Sequence, residues 1–221
     1  MIRALIFDFD GLILDTEGPE FQSWQEIYQA HGCTLPLEVW GTAIGTVGAF
    51  DPYAYLEAQL GTPVPRETLH RQRRQRCDAL IAQQAVLPGV HDYLLAATRQ
   101  GLALAVASSS SRTWVQGHLT RLALEQHFHC VKCRDDVVHP KPDPALYLAA
   151  LAALGVRPEE AIALEDSPHG VRAAKRAGLF CVAVPNALTR QLPLDHADVQ
   201  LSSLAALPLA QLLQDVIQRR R

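Results

Sequence analysis

Residues 1–17 read MIRALIFDFDGLILDTE. Within them an apolar run, Leu5-Ile6-Phe7, ends at two carboxylates, Asp8 and Asp10, and Gly11 follows at once. An apolar run without polar alternation reads as a strand buried on both faces, the kind found in a parallel sheet covered by helices. Further runs of this kind stand at residues 102–107, 130–132, 161–164 and 181–184. Helix signals separate them. Pro88-Gly89 precedes Val90, Leu94, Leu95 and Thr98 at helical spacing, closed by Gly101. Asp143-Pro144 reads as an N-cap with proline in the first helical position, running to Gly155, and Ser167-Pro168 repeats that start and runs to Gly178. Strands alternating with helices predict a doubly wound α/β domain.

Between residues 16 and 85 the alternation stops. Phe21, Trp24, Ile27 and Tyr28 form one helical stripe, Asp51-Pro52 opens a helix that stops near Gly61, and a polar helix is expected over 67–83. The expected organisation is a core of residues 1–15 and 86–221 with an all-helical cap inserted at 16–85. Trp24, Trp40 and Phe50 are expected in the cap's own core, and Gly45 and Gly48 in a loop that either joins its helices or faces the substrate.

The bulk composition narrows the function classes. At 221 residues, 48% of them hydrophobic, the chain can bury a sizeable core. Its formal charge of −3 gives no global attraction to polyphosphate or to an anionic membrane, so neither nucleic acid nor membrane is an expected partner. Arg71, Arg73, Arg74 and Arg76 fall in one polar segment and read as a solvated helix face, and Arg219-Arg220-Arg221 as a frayed end. No run approaches the roughly 18 apolar residues of a membrane span, and no signal-peptide pattern opens the chain, so the expected address is cytoplasmic. Five scattered cysteines suit reduced thiols; Cys130 and Cys133 match CxxC but in a strand-like context that favours a structural role. His127, His129 and His139 read as ordinary loop or core histidines.

In open α/β sheets the ligand crevice lies beyond the carboxyl ends of the strands. The first strand end offers Asp8 and Asp10, the second Ser108 to Ser111, the fourth Glu165, Asp166 and Ser167, and between the third and fourth stands Lys141, one of three lysines. Asp8, Asp10, Glu165 and Asp166 gathered at one edge would repel one another unless a cation compensates. Hard oxygen ligands suit Mg²⁺, which commonly shares its shell with substrate phosphate. Ser108 and Ser109 would offer hydroxyl and backbone N–H groups to an oxyanion, and Lys141 the remaining positive charge. Asp8 is then placed to attack phosphorus as a nucleophile, and Asp10 to protonate the leaving oxygen and later deprotonate water.

With these residues in order, Asp8-Phe9-Asp10-Gly11 with Asp15-Thr16-Glu17, Ser108, Lys141 and Glu165-Asp166, the chain resembles the haloacid dehalogenase superfamily over nearly its whole length. The early helical insertion resembles the cap of its β-phosphoglucomutase and sugar-phosphate phosphatase branch. The resemblance implies a Rossmann-like core with a mobile cap, hinged near Asp15-Thr16 and Leu87-Pro88-Gly89. It implies Mg²⁺ held by Asp8, the backbone carbonyl of Asp10 and Asp166, with Glu165 supporting the metal shell directly or through water. It also implies phosphoryl oxygens gripped by Ser108 and Lys141.

The presence of Asp10 argues against carbon–halogen cleavage, and the absence of lysine from residues 16–85 argues against a Schiff-base phosphonatase. β-Phosphoglucomutases carry a cap arginine after a glycine-containing turn and a histidine shortly after the first motif. Here residues 45–50 read GTVGAF, and Glu17, Glu20 and Phe21 follow the motif. The expected activity is hydrolysis of a small phosphate monoester, with a phosphosugar mutase as the alternative and a catalytically silent metabolite-binding module as the alternative of another class.

Overall fold

A computed structural model describes residues 1–46 and 48–219. Val47 of the glycine turn and Arg220 and Arg221 of the basic tail therefore lie outside the described residues. Six strands form one parallel sheet in the order β3-β2-β1-β4-β5-β6, where β1 is Ala4–Phe7, β2 Ala103–Ala107, β3 Cys130–Lys132, β4 Ala161–Glu165, β5 Phe180–Ala183 and β6 Val199–Gln200. The chain moves outward from β1 to β3, then returns to the other side of β1 with β4. The switch point thus falls between β1 and β4, whose carboxyl ends carry Asp8 and Glu165-Asp166.

The two faces of the sheet differ in bulk. Leu5 and Phe7 of β1, Leu104 and Val106 of β2, and Ile162 and Leu164 of β4 point to one face. There they meet α5 (Val90–Arg99), α6 (Arg112–Arg121) and α9 (Leu209–Arg219). The alternate residues Ala4, Ile6, Ala105, Ala107, Ala161 and Ala163 face α7 (Ala145–Leu154) and α8 (Pro168–Arg176). Small side chains on that face let the alanine-rich α7 pack closely on the strands.

Between β1 and α5 come α1 (Glu17–Ala30), α2 (Leu37–Trp40), α3 (Pro52–Leu60) and α4 (Arg66–Ala82). They bury an apolar cluster of their own, in which Phe21, Trp24, Ile27 and Tyr28 of α1 meet Trp40, Leu56 and Leu69, with Phe50 at its margin. Asp51 caps α3 by accepting from the N–H groups of Tyr53 and Ala54, and left-handed Gly61 ends it. The two chain crossings to this helical part run side by side: Leu14 bridges Val86, and the Leu87 N–H donates to the Ile13 carbonyl at 2.9 Å.

Several local expectations shift. Helix α7 begins at Ala145, so Pro144 holds the N-cap position; Asp143 still accepts from the Ala145 N–H at 2.9 Å, one residue further out than a cap. On α5 the buried stripe is Val90, Tyr93, Leu94 and Ala97, whereas Leu95 is 45% exposed. The α4 arginines do not form one solvated face. Arg73 is buried beneath Trp24 and donates to Glu20 at 3.2 Å, while Arg76 makes an exposed pair with Glu26. Strand β6 and helix α9 follow the last element that the sequence pattern had placed.

Candidate active site

The Asp8 N–H continues the ladder past β1 by donating to the Leu164 carbonyl, so the sheet itself sets the first carboxylate beside β4. Lys141 Nζ donates to Asp8 Oδ1 at 2.5 Å and to Glu165 Oε1 at 2.6 Å, with the Tyr147 ring 5.1 Å from the ammonium. Glu165 is fully committed. Its Oε1 also accepts the Tyr147 hydroxyl at 2.5 Å, and its Oε2 accepts the N–H groups of Asp166 and Ser167 and the Ser167 hydroxyl. Gly170, on the first turn of α8, lies so close that a Cβ there would sit 2.0 Å from the Glu165 carboxylate, so glycine is required at this contact. Asp166 Oδ2 accepts from Asn186 Nδ2 at 2.9 Å, and the same amide reaches the Gly11 carbonyl at 3.2 Å. Gly11 has φ +80°, and a Cβ on it would meet Asp166 Oδ2 at 2.2 Å.

This floor holds more negative than positive charge. Burial pushes the Asp8 pKa up to about 8, against the pull of Lys141 and with that of Glu165 and Asp10 added. Burial, then Asp8 and Glu165, raise Asp166 well above the ordinary carboxylate range. Burial opposes the charge on Lys141, but Asp8 and Glu165 outweigh it and raise its pKa above that of a free lysine. Ligand oxygens of Asp8, Glu165 and Asp166 lie within 4.8 Å of one another. Hard donors in an under-compensated cluster fit a divalent cation such as Mg²⁺. Among the described residues, Asp8 Oδ2 and Asp166 Oδ1 receive no hydrogen bond and are the free donors. Both Glu165 oxygens are occupied, which suits a supporting role.

Two residues on, Asp10 meets only uncharged donors among the described residues. Oδ1 accepts from the Thr16 hydroxyl at 2.8 Å and the Trp114 indole N–H at 2.9 Å; Oδ2 accepts from the Ser108 hydroxyl at 3.1 Å and the Ser110 hydroxyl at 2.7 Å. The serine run at the end of β2 supplies the last two, and the Ser110 N–H holds Ser108 Oγ at 3.0 Å. Ser109 points elsewhere: its hydroxyl donates to the Gly45 carbonyl in the glycine turn at 3.2 Å.

A cavity of about 490 Å³ opens above both aspartates, walled by Ser109, Ser110 and Trp114 on the core side and by Glu17, Trp40 and Arg74 on the other. That volume suits a small metabolite. Burial, then Asp10 and Glu20, raise the Glu17 carboxyl well above its usual range. Trp40 also lies in the helical cluster, and its indole N–H has no partner among the described residues. A second bridge joins the two parts: Arg172 donates to His169 Nδ1 at 3.0 Å, which leaves the ring hydrogen on Nε2 to donate to the Thr42 carbonyl at 3.1 Å.

The structure gathers Asp8, Lys141, Glu165 and Asp166 in one charged cluster with Asp10 and Ser108 beside it, whereas Ser109, expected at the phosphate, turns its hydroxyl to the Gly45 carbonyl. The sequence reading does not single out Asn186, Trp114 or Tyr147, and it places Thr16 only in the first motif and near a hinge. Asn186 stands beyond the end of β5, where the same inspection of strand ends finds it.

The haloacid dehalogenase-like hydrolase family model matches residues 5–184. YhcW of Bacillus subtilis, a candidate phosphatase by name, is 49% identical over 213 residues, covering 96% of this chain and 97% of its own. A phosphorylated carbohydrates phosphatase of Thermotoga maritima is 30% identical over 181 residues, covering 80% and 82%. The crystal structure of a CbbY variant from Rhodobacter sphaeroides in complex with xylulose-(1,5)bisphosphate superposes with a TM-score of 0.74 at 33% identity, covering 96% of this chain and 99% of that one. On its strand-end carboxylates, its sheet order and these matches, the chain belongs to the haloacid dehalogenase-like hydrolases.

Proposed function

We propose that this hydrolase is a Mg²⁺-dependent phosphatase that removes phosphate from a small phosphorylated metabolite, a sugar phosphate foremost, through an aspartyl-phosphate on Asp8. The observation that carries the reading is the placement of Asp8 between the Lys141 ammonium and Asp166, with Asp10 two residues away among neutral donors. The names of the carbohydrate phosphatase and of the bisphosphate-bound CbbY support the substrate class.

Asp8 and Asp166, with the Asp10 backbone carbonyl, would hold the cation. When bound, it neutralises phosphate oxygens so that an anionic nucleophile can approach. Asp8 attacks phosphorus and the bond to the leaving oxygen breaks. Asp10 gives its proton to that oxygen. Water then loses a proton to Asp10 and attacks the same phosphorus, and inorganic phosphate leaves as the Asp8 carboxylate is restored. Lys141, held by Glu165, and Ser108 steady the phosphoryl oxygens. The helical part, residues 16–85, acts as a cap that closes over the cavity and excludes bulk water. Cytoplasmic action belongs to the same proposal: Cys33, Cys77, Cys130, Cys133 and Cys181 are all free thiols, which suit a reducing compartment.

The test is phosphate release from a panel of sugar phosphates, nucleotides and phosphorylated cofactors, with Mg²⁺ and with EDTA. Turnover is expected on sugar phosphates in Mg²⁺ only. Equal rates in EDTA, or Mg²⁺-dependent turnover retained by Asp8→Asn, would overturn the reading.

A further inference from the structure

Four donors saturate the Asp10 carboxylate, and they are not equivalent. Hydroxyls of Thr16, Ser108 and Ser110 can rotate to another acceptor, whereas an indole N–H points only where its ring is packed. The Trp114 ring is fixed on two sides. The Arg74 guanidinium of α4 lies 4.6 Å from its centroid, and His118, one turn along α6, packs edge-on at 4.4 Å. Trp114 is therefore the one donor to Asp10 whose direction is set by packing and not by torsion.

The two oxygens of Asp10 also differ. Ser108, on Oδ2, is the hydroxyl that turns to the phosphoryl group under the proposed function, which frees a position on Oδ2 for the reacting proton. Oδ1 keeps Thr16 and Trp114. Both belong to the boundary with the helical part: Thr16 immediately precedes α1, and Trp114 lies beneath Arg74 of α4.

We propose that Trp114 is a positioning residue for the acid–base step. With Thr16 it anchors Oδ1 of Asp10, leaves Oδ2 to carry the proton to and from the reacting oxygens, and ties that alignment to the seating of α4 through Arg74. The inference rests on the reading of Asp10 as the acid and base, and it adds a residue that no strand-end motif supplies.

Protonation matters more for a poor leaving group, which gives the test a readout that a purely structural role would not move. Trp114→Phe keeps an aromatic ring in the packing and removes the N–H. On phenyl phosphate its kcat/KM should fall about tenfold, the order expected for losing one hydrogen bond to a charged group. On p-nitrophenyl phosphate, whose leaving group needs less help, the fall should stay under about threefold. Thr16→Val removes the other Oδ1 donor with little change of shape and should give the same pattern, which keeps the test open should Trp114→Phe fold poorly. Equal losses on both esters, or a rise in KM alone, would overturn the proposal. Asp10→Asn separates the failures: if it loses phenyl phosphate turnover while both other variants keep theirs, only the role of Trp114 falls. If Asp10→Asn itself keeps that turnover, the reading of Asp10 falls first.

Discussion

Asp8 and Asp10 leave the same strand two residues apart and enter opposite surroundings. Around Asp8 the contacts are charged and deeply buried, with Lys141, Glu165 and Asp166 all from the core. Around Asp10 they are neutral, and two of its four partners, Thr16 and Trp114, sit at the boundary with the helical part. One sheet edge thereby builds a half suited to holding a cation and a phosphoryl group, and a half suited to moving a proton. The first half is finished within the core, whereas the second is completed by how the helical part is seated.

Breaking the charged half should have the largest effects. Asp8→Asn is expected to lower kcat for phosphate release by at least about 10⁴-fold, since an amide cannot form the covalent intermediate. Lys141→Met should cost about 3–5 kcal/mol in urea unfolding, because it strips the one ammonium from a buried group of carboxylates. Added Mg²⁺ should recover part of that loss. By contrast, Ser110→Ala in the neutral half removes a hydroxyl from Oδ2 and should cost about 1–2 kcal/mol. Equal costs for these two substitutions would erase the distinction between the halves.

The charged half should also write itself into the pH dependence of stability. The folded state holds the Asp8 proton up to a pKa of about 8, while the unfolded chain releases it near the ordinary aspartate value of 3.8. Between those values the folded state binds more protons, so this group's contribution to stability falls as pH rises. Urea midpoints in EDTA, taken as wild type minus Asp8→Asn, should therefore decline from about pH 4 to pH 8. Mg²⁺ binds the deprotonated carboxylates and should flatten that decline. A difference that grows with pH in EDTA would contradict the assignment of the shift to buried, under-compensated charge.

The same contrast explains what the sequence discloses. Asp8, Glu165 and Asp166 of the charged half stand at or just past strand ends, in DFDG and LEDS, where a polar residue after an apolar run is conspicuous, and Lys141 stands in PKPD between β3 and α7. Asn186 obeys that rule too, beyond β5, and its amide holds Asp166. Partners that come from helices are harder to read, in either half. Trp114 and Tyr147 lie within helical patterns whose periodicity is satisfied by burial alone, and only the packing of α6 and α7 against the strand ends reveals their polar atoms as partners of Asp10 and Glu165. Arg73 and Arg74 are neighbours in one basic run, yet one is buried on Trp24 and the other faces the cavity over Trp114, a difference fixed by how α4 lies on α1 and the core. Strand β6 has two residues, too few for a pattern, and α9, whose Leu209, Leu212 and Val216 recur at helical spacing, lies past the last element placed from the sequence.

Ser109 gives the finest test of where the halves meet. Its place in the serine run suggested a grip on phosphate, but its hydroxyl donates across the cavity wall to the Gly45 carbonyl. Gly45 has φ +79° and packs against Ser167 so closely that a Cβ would lie 2.2 Å from its hydroxyl, so the turn is held from two sides. Removing one neutral hydrogen bond at a partly wet boundary is worth about 0.5–1.5 kcal/mol at most. Ser109→Ala should accordingly lower kcat/KM only about two- to fivefold, by loosening the seat of the helical part, and cost no more than about 1.5 kcal/mol in urea unfolding. A loss as deep as that of Asp10→Asn, about 10²-fold or more, would return Ser109 to the phosphate site and place the boundary between the halves one residue further along the serine run.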